Sequence, residues 1–104
     1  MDEHSILGCG SYRDDVHGIV IPWYDRREPW LVRHEVFHGA NRQTSIRYGC
    51  YVFLTPEAHN MSSYGVHFNR PFELHLQRVS QVRAMKHYGW SMEDWYDIFG
   101  RSYL

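Results

Sequence analysis

The chain has 104 residues, a formal net charge of −1 with histidine counted as neutral, and 43% hydrophobic and 16% aromatic residues. This length predicts a single domain, and the aromatic content excludes an intrinsically disordered chain. No stretch approaches the roughly 20 consecutive apolar residues of a membrane span, and acidic residues follow Met1 where a signal peptide is basic. We therefore expect a soluble protein with no membrane partner.

The charged residues are unusual in kind rather than in number. The near-neutral total excludes a strongly cationic protein that coats nucleic acid, although it permits a local basic groove. The cations are ten arginines and the single lysine Lys86, and guanidinium groups bind phosphate or carboxylate in a planar, two-pronged way. Eight histidines are several times the ordinary usage. Imidazole is the commonest metal ligand and the commonest general base, so some of these histidines are candidates for chemistry.

The only cysteines are Cys9 and Cys50. Neither belongs to a Cys-x-x-Cys pair, so any metal ion must be held by His, Asp, Glu or Asn. Nothing in the sequence signals secretion, and we expect both cysteines to be buried free thiols in a reducing cytoplasm.

Three strands are predicted in the first half of the chain. The pattern favours a short strand over 18–21 that ends at Pro22, a charged turn over 25–29, a strand over 30–37 and a strand over 50–54 that is buried on both faces. A polar loop with one helical turn over 44–48, closed by Gly49, separates the last two strands. Residues 1–16 give no clear pattern.

Three helices follow. Thr55 and Pro56 predict the cap and first position of a short helix that carries His59 and Asn60 and ends within 62–65. A long helix is expected to begin near Asn69 or Arg70 and to stop at 88–89. The last helix is predicted between the cap Ser91 and Gly100. The expected buried stripes of these two helices are Leu76, Val79, Val82 and Met85, and Met92, Trp95, Ile98 and Phe99.

Three histidines are predicted to converge. His34 lies near the end of one strand, His59 in the first turns of the helix that follows the next strand, and His67 just beyond that helix. Two antiparallel strands that lead into a helix bring these imidazoles toward one point. Three such ligands leave open positions on a divalent ion, which is the condition for binding a phosphate and activating water.

Four motifs carry a family resemblance. They are His-Glu-Val-Phe-x-Gly-x-Asn-Arg from His34, Leu-Thr-Pro-Glu-x-His-Asn-Met-Ser from Leu54, Gly-Val-His-Phe-Asn from Gly65, and Ile-Phe-Gly-Arg-Ser-Tyr-Leu from Ile98. In this order the chain over 33–104 resembles phage and prophage proteins of the HNH (ββα-metal) endonuclease superfamily, in the branch of the recombination-enhancing, RecA-dependent nucleases.

The resemblance implies a fold and a domain layout. The fold class is α+β: a small ββα-metal (His-Me finger) core with a short antiparallel β-hairpin and two C-terminal packing helices. A single domain over 1–104 would comprise an N-terminal extension over 1–30 of open role, the core over 31–70 and the helices over 71–104.

The resemblance also implies an activity, namely metal-dependent cleavage or nicking of DNA in a bacterial cytoplasm. One divalent ion, Mg²⁺, Mn²⁺, Ni²⁺ or Zn²⁺, would be held by His34, His59 and His67. A histidine would activate water. Two alternatives stay open: His34 is the base and Glu35 a metal ligand or support, or Glu35 is the base and His34 the ligand or support. The sequence departs from the family pattern at two positions. Glu35 stands where many members have a second His, and Ser63 stands where the short helix usually carries its own second His.

Further residues receive expected roles. Asn60 joins His34 and Glu35 in the implied catalytic set, and either Asn41 or Asn60 is expected to fix the loop geometry. The implied nucleic-acid contacts are Arg42, Arg47, Arg70 and Asn41. The expected partners are DNA and a recombination or defence protein of the host or phage.

Two other interpretations stay open from the sequence. One is a non-catalytic DNA-binding or inhibitory module on the same scaffold, which the departures at Glu35 and Ser63 permit. The other is a small zinc-stabilised domain that binds no nucleic acid.

Overall fold

The computed structural model describes residues 4–104 and contains four strands and three α-helices. The elements are β1 (Gly10–Asp14), β2 (Ile19–Trp23), β3 (Val32–Glu35), α1 (Arg42–Arg47), β4 (Tyr51–Leu54), α2 (Arg70–Tyr88) and α3 (Met92–Phe99). Short helical turns lie at Gly39–Asn41, Glu57–Met61 and Val66–Phe68. The predicted α+β class is confirmed. Within residues 4–104, no helix is long and apolar enough to cross a membrane.

The strands form two separate antiparallel pairs, β1 with β2 and β3 with β4. In the second pair His34 lies opposite Val52. The two pairs are joined by a bridge in which Tyr24 and Phe53 exchange backbone hydrogen bonds of 2.9 and 2.8 Å. The first hairpin is thereby attached to the strand that leads into the His59 turn.

Strand β2 runs further than the sequence predicts. Pro22 was expected to end it, but the strand continues through Pro22 to Trp23, and Pro22 pairs with Ser11. A proline lacks the N–H that a central strand donates, and it is tolerated here because each strand of a two-stranded sheet has an unpaired edge. Strand β1 lies within residues 1–16, where the sequence predicts no element.

The core joins both halves of the chain. All four residues of β4 are buried, as predicted for a strand covered on both faces. The N-terminal 30 residues contribute Leu7, Ile21 and Trp23 to the same apolar cluster. The other buried members are Val36, Phe37, Cys50, Val52, Leu54, Ala58, Val66, Phe72, Leu76, Ala84, Trp95 and Phe99.

Phe37 connects the second hairpin to the last helix. Its ring lies 5.4 Å from that of Trp95, 4.8 Å from that of Phe99 and 4.9 Å from that of Tyr103, measured between centroids. Aromatic pairs at these separations contribute beyond simple burial. The backbone just after His34 is therefore fixed by the C-terminal helix.

The caps of the long helices agree with the sequence. The Asn69 side chain accepts a hydrogen bond from the backbone N–H of Phe72 at 3.3 Å and caps α2. Ser91 and Asp94 form a complete capping box at the start of α3, with hydrogen bonds of 3.1 and 2.9 Å.

The predicted buried stripes of these helices are partly wrong. On α2, Val82 is 51% exposed, and on α3, Met92 is 40% exposed. The buried face of α2 carries polar side chains instead, because Gln77, Ser80 and Gln81 all point into the protein. The Gln81 amide donates to Ser102 Oγ at 3.0 Å, and its carbonyl accepts from the N–H of Tyr103 at 2.7 Å. A buried glutamine thus holds the C-terminal tail through hydrogen bonds.

The two cysteines differ in their surroundings. Both are free, but Cys9 is exposed, which corrects the prediction that it is buried. Its Sγ lies 3.3 Å from Asp25 Oδ1. Cys50 is fully buried, and burial raises the pKa of its thiol to about 12. Cys50 is therefore a structural, unreactive residue.

Candidate metal centre

The hairpin of β3 and β4 positions the first histidine, and the turn after β4 positions the second. His34 is the third residue of β3. Strand β4 ends at Leu54, and the Thr55 hydroxyl then accepts a hydrogen bond from the N–H of Ala58 at 3.2 Å. This is the predicted N-terminal cap, and it starts the turn Glu57–Met61 that carries His59.

A close backbone contact brings the third histidine to the second. Gly65 lies against the turn Glu57–Met61, and a Cβ atom at this position would be 2.9 Å from the carbonyl oxygens of both Glu57 and His59. Only glycine permits this approach. The turn Val66–Phe68 follows immediately and presents His67 to His59.

The three imidazoles form one cluster. Each of His34, His59 and His67 offers a ring nitrogen, and the three atoms lie within 4.8 Å of one another. The Nε2 atoms of His59 and His67 are 2.9 Å apart. The ring centroid of His34 lies 5.4 Å from that of His59 and 5.3 Å from that of His67.

Burial decreases across the cluster. His34 is 4% exposed, His59 is half-buried and His67 is exposed. Burial, together with the smaller effects of the neighbouring His59, His67 and His38, lowers the pKa of His34 to about 3. Burial and His67 also lower the pKa of His59, against an opposing effect of Glu35. His34 is therefore a neutral imidazole at physiological pH.

The donor set fits a divalent metal ion. The Nε2 atom of His34 is buried and has no hydrogen-bond partner within residues 4–104, which is costly unless another group satisfies it. Bonds of 2.0–2.1 Å in a tetrahedral arrangement place two ligating nitrogens about 3.3 Å apart. The His59 and His67 nitrogens need to separate by only about 0.4 Å to reach that spacing. Three imidazole ligands also match the preference of zinc and nickel.

Glu35 is held by two arginines. Its Oε2 accepts from Arg33 Nε at 3.0 Å, and its Oε1 accepts from Arg42 Nε at 2.8 Å. Arg33 and Glu35 share one face of β3 because strand residues two positions apart point the same way, whereas His34 points to the other face. Sequence reasoning missed Arg33, although this period-two spacing was the signal that pairs it with Glu35.

The other predicted site residues Asn41, Arg47 and Arg70 contact residues outside the histidine cluster. Asn41 donates from its amide to the carbonyl oxygen of Phe99 at 2.9 Å, so it ties α1 to the end of α3. The Arg47 guanidinium lies 5.6 Å from the ring centroid of Tyr48. Arg70 pairs with Glu73 at 3.3 Å.

Two further residues lie near the cluster in sequence. Asn60 and Ser63 are exposed, and together they line an open cleft beside the His59 turn. The same cleft is lined by Met61, Ser62 and Phe68. Met61 and Phe68 were not predicted as site residues; their signal was the occurrence of large apolar side chains in a polar segment between two ligating histidines.

Comparisons of the chain with models of protein families, with curated proteins and with solved structures find no match.

Proposed function

We propose that this protein is a metal-dependent endonuclease or nickase of the HNH type that hydrolyses phosphodiester bonds in DNA and is encoded by a phage or prophage. The β3–β4 hairpin and the turn Glu57–Met61 would form its ββα-metal core. The observation that carries the proposal is the unpartnered Nε2 of His34, buried beside the His59–His67 pair.

The order of the elements supports this interpretation. Two antiparallel strands lead through a capped turn into a helical segment, and the histidines lie on the first strand, on that segment and on the turn after it. This is the arrangement that the sequence resemblance implies. The short turn Glu57–Met61 replaces the full helix of the family pattern. This agrees with the sequence, which has Ser63 where that helix usually carries a second histidine.

His34, His59 and His67 would hold the ion. A bound divalent cation supplies positive charge at the scissile phosphate and lowers the pKa of a coordinated water. The chain supplies neutral imidazoles for this purpose, because burial keeps His34 unprotonated. Both roles that the sequence leaves open for His34, ligand and base, require this neutral form.

Glu35 acts as a support rather than as the base. Both of its carboxylate oxygens are occupied by arginine donors, and strand alternation directs it away from His34. The pairing with Glu35 also positions Arg42, whose side chain remains 53% exposed. This exposure supports the proposal that Arg42 binds a flanking phosphate.

The ligand set bears on the identity of the ion. Mg²⁺ prefers oxygen ligands, whereas imidazole suits zinc, nickel and related transition metals. We expect Zn²⁺ or Ni²⁺ to support activity better than Mg²⁺.

An open site favours catalysis over a purely structural role. Structural zinc sites are usually closed by four protein ligands, while catalytic sites keep three and leave one position for water or substrate. The cluster offers three histidines, and His67 is exposed to solvent. The structural-zinc interpretation is therefore the weaker one.

A plasmid-nicking assay tests the proposal. Wild type, His34→Ala, His59→Ala and the control His87→Ala, which alters an exposed histidine at the end of α2, are compared with Mg²⁺, Mn²⁺, Ni²⁺ or Zn²⁺ and with EDTA. We expect metal-dependent nicking by wild type and the control, and a loss of about 100-fold or more in the two cluster variants. Equal cleavage by all four proteins would point to a contaminant. Salt-dependent DNA binding with no cleavage would support the non-catalytic module instead.

A further inference from the structure

Two large apolar side chains are exposed on the turns that carry His59 and His67. Met61 is 71% exposed and Phe68 is 68% exposed. Met61 is two residues from His59, and Phe68 directly follows His67. The turns that carry them are packed together at Gly65, whose position allows no Cβ atom. The apolar pair and the pair His59 and His67 therefore lie on the same two packed turns.

Both side chains line one cleft. It has a volume of about 690 Å³, it is open to solvent, and its other walls are Asn60, Ser62 and Ser63. The Ser62 hydroxyl donates to the carbonyl oxygen of Glu57 at 2.7 Å, which fixes that wall. The side-chain amide of Asn60 makes no hydrogen bond with any other residue within 4–104.

This combination matches an unpaired nucleobase. An aromatic face and a flexible thioether offer stacking and apolar contact to a flat heterocycle. A free amide and hydroxyl groups offer a donor and acceptors to its hydrogen-bonding edge. A base inside an intact duplex exposes neither its face nor its Watson–Crick edge. It can therefore neither stack on the aromatic ring nor form hydrogen bonds with the amide and hydroxyl groups.

We propose that the cleft between Met61 and Phe68 binds an unpaired base adjacent to the phosphate held at the histidine cluster. The protein would then act on single-stranded or locally unpaired DNA in preference to intact duplex. This inference rests on the proposed function, because it defines the class of nucleic acid that the same site accepts. Phe68 supplies the stacking surface, and Asn60 supplies the hydrogen bonds to the base edge.

The test uses DNA of one sequence in three forms: a single strand, a duplex with two unpaired nucleotides and a fully paired duplex. Each carries 2-aminopurine at the same position, and stacking on an aromatic ring quenches its fluorescence. Titration with wild-type protein should give an affinity at least about tenfold higher for the two unpaired forms, together with quenching. Nicking of each form is measured in parallel.

Variants separate the cleft from the rest of the protein. Phe68→Ala should lose the preference and the quenching, Phe68→Trp should keep both, and Met61→Ala should weaken both. Tyr96→Ala removes an exposed aromatic side chain from α3 and should behave as wild type. Because Phe68 is exposed, its truncation should leave the circular dichroism spectrum unchanged.

The outcomes distinguish this inference from the proposed function. Equal affinity of wild type for all three DNA forms, or an unchanged preference in Phe68→Ala, overturns the inference even where nicking is observed. A preference that depends on Phe68 supports the inference even where no DNA form is cut, and in that case the proposed hydrolysis fails.

Discussion

The Nε2 atoms of His59 and His67 lie 2.9 Å apart, although the two residues are eight positions apart in sequence. Two neutral imidazoles satisfy each other at this distance only if one of them donates and the other accepts. The buried Nε2 of His34 remains without a partner within residues 4–104. A divalent ion bound by the three ring nitrogens would satisfy all three rings at once.

Metal binding should stabilise the folded protein. A site that exists only in the native state adds about 2.7 kcal/mol at a metal concentration 100 times the dissociation constant. For a domain of this size that corresponds to a rise in Tm of roughly 10–20 °C. Thermal unfolding of EDTA-treated protein with added Zn²⁺ or Ni²⁺ measures the effect. His67→Ala should abolish the rise and His87→Ala should retain it; an equal rise in both variants would place the metal elsewhere.

Gly65→Ala should damage the site without removing a ligand. The added Cβ atom meets backbone carbonyl oxygens on the His59 turn at 2.9 Å, so the two turns must separate. We expect a loss of about 1–3 kcal/mol in the free energy of unfolding and at least about tenfold weaker metal binding. Urea unfolding and calorimetric titration measure the two effects. Ser63→Ala, in the same exposed loop, is the control; unchanged metal affinity in Gly65→Ala would contradict the proposed geometry.

Glu35→Gln distinguishes support from general base. Removal of a general base typically costs 10²–10⁴-fold in rate, whereas loss of a supporting ion pair costs much less. We expect nicking to fall by no more than about tenfold. The variant should also have a lower pKa at His59, because the carboxylate that raises it is gone. Single-turnover nicking and an NMR titration measure these quantities; a rate as low as that of His59→Ala would restore Glu35 as the base.

Asn69→Ala tests the link between the N-terminal hairpin and the site. The Asn69 amide donates to Asp14 Oδ2 at 2.7 Å and to the carbonyl oxygen of Tyr64 at 3.1 Å, while its carbonyl oxygen caps α2. Loss of a cap and of buried hydrogen bonds should reduce the free energy of unfolding by about 2 kcal/mol. Asn60→Ala, at an exposed asparagine, should change it by less than about 0.5 kcal/mol. Urea unfolding of both variants provides the comparison, and similar values would argue against the link.

The stability of the metal-free protein should fall in mild acid. Below pH 6.5 the unfolded chain takes up a proton at His34, whereas the folded state does not do so until about pH 3. Acid therefore favours the unfolded state, and stability declines as the pH falls from about 6.5 toward 3. The depressed pKa of His59 acts in the same direction. Between pH 6.5 and 5 the contribution of His34 is at most about 2 kcal/mol.

Urea midpoints in EDTA at several pH values test this dependence. His34→Gln should flatten the curve because glutamine does not titrate. A wild-type curve no steeper than that of the variant would show that His34 is charged in the folded protein.

The convergence of the histidines could be predicted because each position depends on local rules. Thr55 and Pro56 start a helical turn, the antiparallel strands bring His34 toward that turn, and a glycine permits the return to His67. The caps at Asn69 and Ser91 follow from equally local signals.

Other features depend on contacts that are distant in sequence. Gln81 is buried because the C-terminal tail forms hydrogen bonds with its side-chain amide. Hydrophobic periodicity alone predicts that Val82 lies on the buried face of α2, but Val82 is exposed. Strand β1 has few apolar residues, and its position depends on pairing with β2. The pairing of Glu35 with Arg42 similarly depends on the packing of α1 against β3.

A metal titration of DNA nicking tests the central claim most directly. Metal-free protein receives increasing Zn²⁺, Ni²⁺ or Mn²⁺, and the single-turnover nicking rate is measured on supercoiled plasmid at each ratio. If the three histidines bind the ion tightly, activity should rise linearly with added metal and saturate at one equivalent per chain. His59→Ala should stay inactive at every ratio. Nicking that persists in EDTA, or one equivalent of bound metal with no cleavage at any ratio, would contradict the account.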